Sequence, residues 1–314
     1  MSEAPFPVPP ARARRPRVGY AMAVTAATLW AVNGTVSKVV LAHGFSSGQL
    51  ALARSAGACV GLAAGLALLA PQMLRIRARE LPRLIVFGVC GLAFVQWFYF
   101  LSIHRLDIGV SLLIQYLAPL LVALFARFVL HEHVRRRIWA ALALALAGLA
   151  LIVDVVHGVT LNGVGVAAAF AGAVAYAFYV VMAERAVGER GPVSLLCWGF
   201  LFAAVFWALV APVWRFPGGR VPDAVSLLGR LGDVHVPVWA LLVYIVVLGT
   251  IVPFVLLLRA LRHLPATRVA IAAMAEPVVA TVVAWAWLGE ALGAVQLVGA
   301  AVVLAAILLA QTAR

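Results

Sequence analysis

The chain has 314 residues, of which 65% are hydrophobic and 11% charged, and it carries a formal net charge of +13. A mean hydropathy of +1.08 excludes an ordinary water-soluble domain. The basic excess sits at the ends of apolar runs and forms no stripe interleaved with aromatics, which argues for a lipid bilayer and against nucleic acid as the partner.

Residues 1–17 are rich in Pro and Arg and read as a basic cytoplasmic tail. Runs of about 20 apolar residues, the length that crosses a bilayer as a helix, then fall at 18–41, 48–70, 83–103, 108–130, 138–157, 163–186, 193–213, 237–259, 264–288 and 293–311. The expected fold is an all-α membrane protein with ten transmembrane helices. The first run is too long for the core of a cleavable signal and carries Asn33 and Lys38, so it is expected to stay as a membrane helix. Connections such as 42–47 and 131–137 are short, which makes successive helices antiparallel neighbours. The exception, 215–236, has Pro and Gly turn signals and room for a short interfacial helix. Cys59, Cys90 and Cys197 lie inside apolar runs at spacings that suit neither a disulfide framework nor a zinc site.

With the N-terminus inside, the cytoplasmic segments and helix ends hold 18 of the 24 basic residues. The positive-inside rule therefore places both termini in the cytoplasm of a multi-pass protein, expected in the bacterial plasma (inner) membrane. The chain also repeats itself. Offset by 158 positions, 105–132 falls on 263–290 and aligns Leu106 with Leu264, Pro119 with Pro277 and Glu132 with Glu290; Gly91 falls on Gly249 at the same offset. An offset of 146 lays Gly19 on Gly165, Trp30 on Tyr176 and Lys38 on Glu184. Five spans per half is an odd number, so the second copy, 163–311, enters the membrane from the side opposite to the first, 18–157. Inverted repeats of this kind place a substrate site near the midplane and work by alternating access.

On these features the chain resembles the drug/metabolite transporters of the EamA type. The matching residues are Trp30-Ala31-Val32-Asn33-Gly34 in the first helix, Leu117-Ala118-Pro119 in a helix followed by Glu132, and Glu276-Pro277 in a helix ending in Leu288-Gly289-Glu290. The resemblance covers about 18–311 and implies a ten-helix secondary transporter, often an exporter of amino acids or other small metabolites. It also implies a central cavity lined by the first, third and fourth helices of each half. Ala306 departs from the pattern, because the second half lacks there the glycine that the first has at Gly148, and this bears on the packing of the last helix.

Several polar residues are candidates to line a cavity. Trp30, Asn33 and Ser37 share one face of the first helix, where Asn33 either faces the cavity or hydrogen-bonds a neighbouring helix. Gln96 and Tyr99 pair on the third helix, Gln115 and Tyr116 precede Pro119 on the fourth, Tyr176 and Tyr179 pair on the sixth, and Tyr244 lies in the eighth. An apolar lining with a few convergent polar groups is what a small-molecule site needs. Glu276 is the sharpest of them. A carboxyl at bilayer depth costs about 2.5 to 3.5 kcal/mol on insertion scales, and such residues normally face the bundle interior. Glu276 could bind a substrate ammonium or carry a coupling proton; alternatively it stays neutral and bonds a carbonyl freed by Pro277. Pro119 and Pro277 are expected helix breaks, since proline removes a donor and clashes with the preceding turn.

Glu132 and Glu290 are expected at the starts of the fifth and tenth helices, in capping or gating roles. His131 and His133 point apart and offer no metal site. Lys38, Arg54 and Asp154 fall towards outer helix ends, either as an ion-pair cluster or as snorkelling side chains. No Gly-rich phosphate loop with Lys and no Ser/His/Asp set is present, so neither a cofactor nor an enzymatic activity is expected. The expected function is export of small metabolites, with amino acids or related amines favoured and protons as a candidate coupling ion. Efflux of toxic amphipathic cations is the alternative, and a membrane protein without flux the third reading.

Overall fold

The computed structural model describes residues 15–103, 105–106, 108–153, 162–211, 214, 216–289 and 293–312. A backbone in hydrocarbon must satisfy its own polar groups, so apolar runs of this length fold as helices. Among the described residues nine helical stretches are long and apolar enough to cross a membrane, and Arg136–Val153 supplies a tenth span. In chain order these are α1 (Pro16–Ala42), α2 (Ser47–Leu69), α3 (Ala78–Ser102), α4 (Ser111–Phe128), α5 (Arg136–Val153), α6 (Gly163–Val187), α7 (Pro192–Val210), α8 (Val238–Ala260), α9 (Ala266–Leu288) and α10 (Ala294–Thr312). Local chemistry fixes several starts. Ser46 and Gln49 form a reciprocal capping box ahead of α2, and Asn162 accepts from the Gly165 backbone N–H at 3.1 Å ahead of α6.

The two five-helix halves are interwoven. Helix α1 packs chiefly on α8 and α9 of the second half, whereas α6 packs on α3 and α4 of the first. The internal symmetry is visible in single contacts. A Cβ at Gly19 would lie 2.7 Å from Leu264 Cγ, and one at Gly165 would lie 2.7 Å from Leu106 Cγ, so the aligned residues make the same contact twice. Helix α2 lies along α7, and α5 along α10. At the α5–α10 crossing Gly148 meets Gly299 backbone to backbone, a Cβ on either falling within 2.8 Å of the other's carbonyl oxygen. The glycine absent at Ala306 is thus replaced by Gly299, two turns earlier on the same helix, and the last helix packs closely.

Four of the spans are irregular, and their irregularities pair between halves apart from a further π-helical turn, Ala284–Leu288, at the end of α9. Helices α3 and α8 each contain a π-helical turn, Phe87–Ala93 and Val247–Ile251, which include the aligned Gly91 and Gly249. Such turns interrupt the regular ladder and recur at functional sites. Helices α4 and α9 are each broken. The first stops at Gln115 and restarts at Ala118; the second stops at Ala273 and restarts at Ala275. Both breaks come just before the expected prolines, Pro119 and Pro277, which are buried.

The segment expected to hold an interfacial helix forms a β-hairpin instead. Strands β1 (Ala224–Ser226) and β2 (His235–Pro237) pair antiparallel, Val225 opposite Val236. Turn-forming Gly, Pro and Asp residues deny this segment an uninterrupted apolar face, and the strand pairing satisfies the backbone. The hairpin tip lies on the end of α9, where Trp287 Nε1 donates to Leu227 O at 2.9 Å and Arg230 sits over the Trp285 ring at 5.5 Å. Beside it, Phe45 of the α1–α2 turn meets Phe216 edge-on at 5.7 Å, and Arg220 Nη1 donates to His43 O at 3.2 Å. Replacing Trp287 by Phe removes a hydrogen bond worth about 1 kcal/mol. Hydrogen exchange across 224–237 should rise about five-fold, while exchange in α5 and α10 should not change.

At the opposite end Arg190 donates to Met73 O at 3.1 Å and Arg75 O at 2.7 Å and pairs with Glu80, which ties the α2–α3 connection to the start of α7. Glu132 does not cap α5. That helix begins at Arg136, and Glu132 is exposed in the preceding connection, where its backbone N–H bonds Ala126 O at 2.9 Å. Glu290 and Asp154 lie outside the described residues.

Candidate functional site

The two helix breaks meet across the bundle. Tyr116 occupies the break in α4, and its hydroxyl donates to Glu276 Oε2 at 2.8 Å, just beyond the break in α9. Proline explains the geometry. Pro119 and Pro277 cannot donate to the turn before them and crowd its carbonyls, so each helix is interrupted in the turn upstream of its proline. Tyr116 and Glu276 are half-buried and face the interior. The carboxyl thus bonds a phenol from the other half of the molecule, and no backbone carbonyl is its partner among the described residues.

Around Glu276 the structure gathers Tyr99 of α3, Tyr116 of α4, Tyr176 of α6 and Arg54 of α2, each within electrostatic reach of the carboxyl. Of the expected site residues, Tyr99, Tyr116, Tyr176 and Glu276 come together as one cluster. Gln115 lies beside Gly172 of α6. Gln96 donates weakly to Leu92 O at 3.4 Å and leaves its side-chain oxygen buried without a partner among the described residues.

Asn33 and Tyr179 occupy aligned positions and do aligned work. Asn33 lies against Gly249 in the π turn of α8, where a Cβ would fall 2.0 Å from its carboxamide oxygen. Tyr179 lies against Gly91 in the π turn of α3, at 3.4 Å. Both are buried, and Asn33 Oδ1 and Tyr179 Oη have no partner among the described residues. Buried polar atoms normally find a partner, and these stand in the minority that does not. Ser111, 0% exposed on α4, is another.

An aromatic wall runs beside this polar group. Phe254 of α8 meets Trp30 at 5.1 Å, Tyr179 at 5.9 Å and Phe200 at 5.3 Å, all edge-on, and Tyr176 meets Tyr179 at 6.0 Å. Phe254 was missed by the sequence reading, although the offset of 158 that identifies Gly91 with Gly249 sets it opposite Gln96. Tyr244 stands apart from this wall, packed with Val36, Val39, Leu241 and Ile245 under the hairpin.

Arg54 is the second residue the sequence reading misplaced. It does not reach for the membrane surface. Its Nε donates to Thr250 Oγ1 at 3.1 Å in the π turn of α8, and Thr250 in turn donates to Ile245 O at 2.8 Å. A sequence signal existed: Arg54, Gly57 and Gly61 share one stripe of α2, and small residues on a membrane helix mark the face that packs.

The Tyr116–Glu276 bond gives a direct test of this geometry. A hydrogen bond to a charged group contributes about 1.5 to 3 kcal/mol. Tyr116→Phe should therefore slow substrate flux about ten-fold and lower folding stability by no more than that range, because the ring and its packing remain.

Two inverted five-helix repeats, broken helices meeting at the centre and a carboxyl among interior aromatics define a membrane transporter of small molecules. The chain belongs to the EamA-like transporter family, whose sequence profile matches residues 17–154 and 163–312. It is similar to the threonine/homoserine exporter RhtA of Escherichia coli (strain K12), at 26% identity over 75% of this chain and 73% of that protein. It is also similar to the uncharacterized transporter YdfC of Bacillus subtilis (strain 168), at 22% identity over 68% of this chain and 65% of the relative. A solved structure titled "Crystal structure of protein" matches with a TM-score of 0.73 at 22% identity, covering 93% of this chain and 96% of the other. That likeness supports the fold.

Proposed function

We propose that the protein exports a small zwitterionic or cationic metabolite, an amino acid or related amine, by alternating access between the halves 18–157 and 163–311. The observation that carries the reading is the Tyr116–Glu276 pair at the meeting of the two broken helices. It offers one carboxyl acceptor in an aromatic interior, and in its ionised form such a group favours a ligand with a positive end. The family relative that exports threonine and homoserine adds support for this substrate class. The Arg bias along the chain favours both termini in the cytoplasm and residence in the bacterial plasma membrane.

Efflux of amphipathic cations is the second reading, favoured by the aromatic wall of Trp30, Tyr179 and Phe254 beside a carboxyl. Flux of labelled amino acids, amines and quaternary ammonium dyes from proteoliposomes, with and without a pH gradient, separates the two. Movement of amino acids upholds the first reading, movement of the dyes alone upholds the second, and stasis of the whole panel with folded protein overturns both.

A further inference from the structure

An arginine half-buried eight residues into an apolar helix needs an explanation, because a guanidinium drawn away from water normally finds a carboxylate. Arg54 has not paired in this way. Its one hydrogen bond among the described residues is the neutral hydroxyl of Thr250, at 3.1 Å through Nε. The approach is built into the helix. A Cβ on Gly57 would fall 2.6 Å from Val246 Cγ2, and one on Gly61 2.8 Å from Ile251 Cδ1, so α2 lies close on the π turn of α8 along the stripe that carries Arg54.

The bond to Thr250 uses the inner nitrogen and fixes the plane of the guanidinium, while the two terminal nitrogens have no hydrogen-bond partner among the described residues. Those are the nitrogens that grip a carboxylate in a two-point fork. Arg54 and Glu276 act on each other's charge, yet they make no direct ion pair among the described residues. Glu276 is bonded to Tyr116 instead. Arg54 and the Glu276 carboxyl are thus each bonded to a neutral hydroxyl, of Thr250 and of Tyr116, and not to each other.

We propose that Arg54 is a substrate-binding residue, taking the carboxylate of a zwitterion whose ammonium goes to Glu276. This deepens the exporter reading and rests on it. It narrows the substrate from amines in general to molecules that carry both charges, α-amino acids above all. A site with a fixed guanidinium fork leaves an unpaired buried cation when the ligand lacks the carboxylate, and sites built this way reject the deficient analogue strongly. An amine alone would satisfy only half of it.

The test uses the full chain in proteoliposomes, loaded with the amino acid that moves fastest, its methyl ester and its decarboxylated amine. The wild type should move the amino acid at least about ten-fold faster than either analogue. Arg54→Gln should erase that preference to within about two-fold, and Arg54→Lys, which keeps the charge without the fork, should fall between. The proposal is overturned if Arg54→Gln is folded and keeps the wild-type ratio. It is overturned without any variant if the wild type moves the ester as fast as the acid; in that case amino-acid flux persists and the exporter reading survives. If no amino acid and no amine moves in wild type, both readings fall together.

Discussion

Glu276→Gln is expected to lower substrate flux by a factor on the order of 100, because it removes the carboxylate proposed to pair with the ammonium of the bound substrate, and losing one partner of such a desolvated pair costs about 2 to 5 kcal/mol, each 1.4 kcal/mol being tenfold. The side chain keeps its size, and its remaining oxygen can still accept from Tyr116, so the fold is expected to persist. What it loses is the negative charge and the ability to exchange a proton. If the carboxyl holds either a proton or the substrate cation, acid on the destination side displaces substrate there and speeds net delivery. The wild type should respond to such a gradient and the variant should not. The charged and titratable neighbours that could imitate this response are Arg54, Tyr99, Tyr116 and Tyr176. Tyr116→Phe removes one of them and should slow flux while leaving the pH response in place. Unchanged flux and unchanged pH response in Glu276→Gln would remove the carboxyl from the mechanism.

Gly148→Val should damage the fold. A Cβ there lies 2.8 Å from Gly299 O and 2.9 Å from Val303 N, and backbone atoms cannot rotate out of the way as a side chain would. Separating α5 from α10 would be needed to admit the new side chain, and overpacking of this sort costs about 3 kcal/mol. The melting temperature in detergent should fall by roughly 5 °C or more. Gly65→Val is the control, since a Cβ at Gly65 meets nothing within 4 Å, and its melting temperature should move by no more than about 1 °C. Equal losses in the two variants would mean that the close crossing contributes nothing to stability.

Apolar run length and internal repetition made the architecture legible before any coordinates. A helix in lipid must close its own hydrogen bonds, so each run of about 20 apolar residues has one available conformation. Pro119 and Pro277 announced the two breaks because proline acts within a single turn. Glu276 marked the candidate site because a lone carboxyl at that depth is costly wherever it points. The loop that carries the hairpin was less legible: turn residues said that the chain reverses, but β pairing depends on the register between Val225 and Val236, which local composition does not set.

What the sequence by itself determined, then, is what run length, proline and buried charge dictate locally: ten spans, two inverted halves, two broken helices and a carboxyl beside one of them. Tertiary structure alone decided which side chains meet across the bundle. Tyr116 reaches Glu276 from 160 positions away, and Arg54 turns towards Thr250 instead of towards the surface. Gly299 serves the crossing where alignment pointed to Ala306. Each of these depends on the rotation and axial offset of one helix against another. In a membrane those are set by close packing of small residues, and an apolar run of amino acids can present any of its faces.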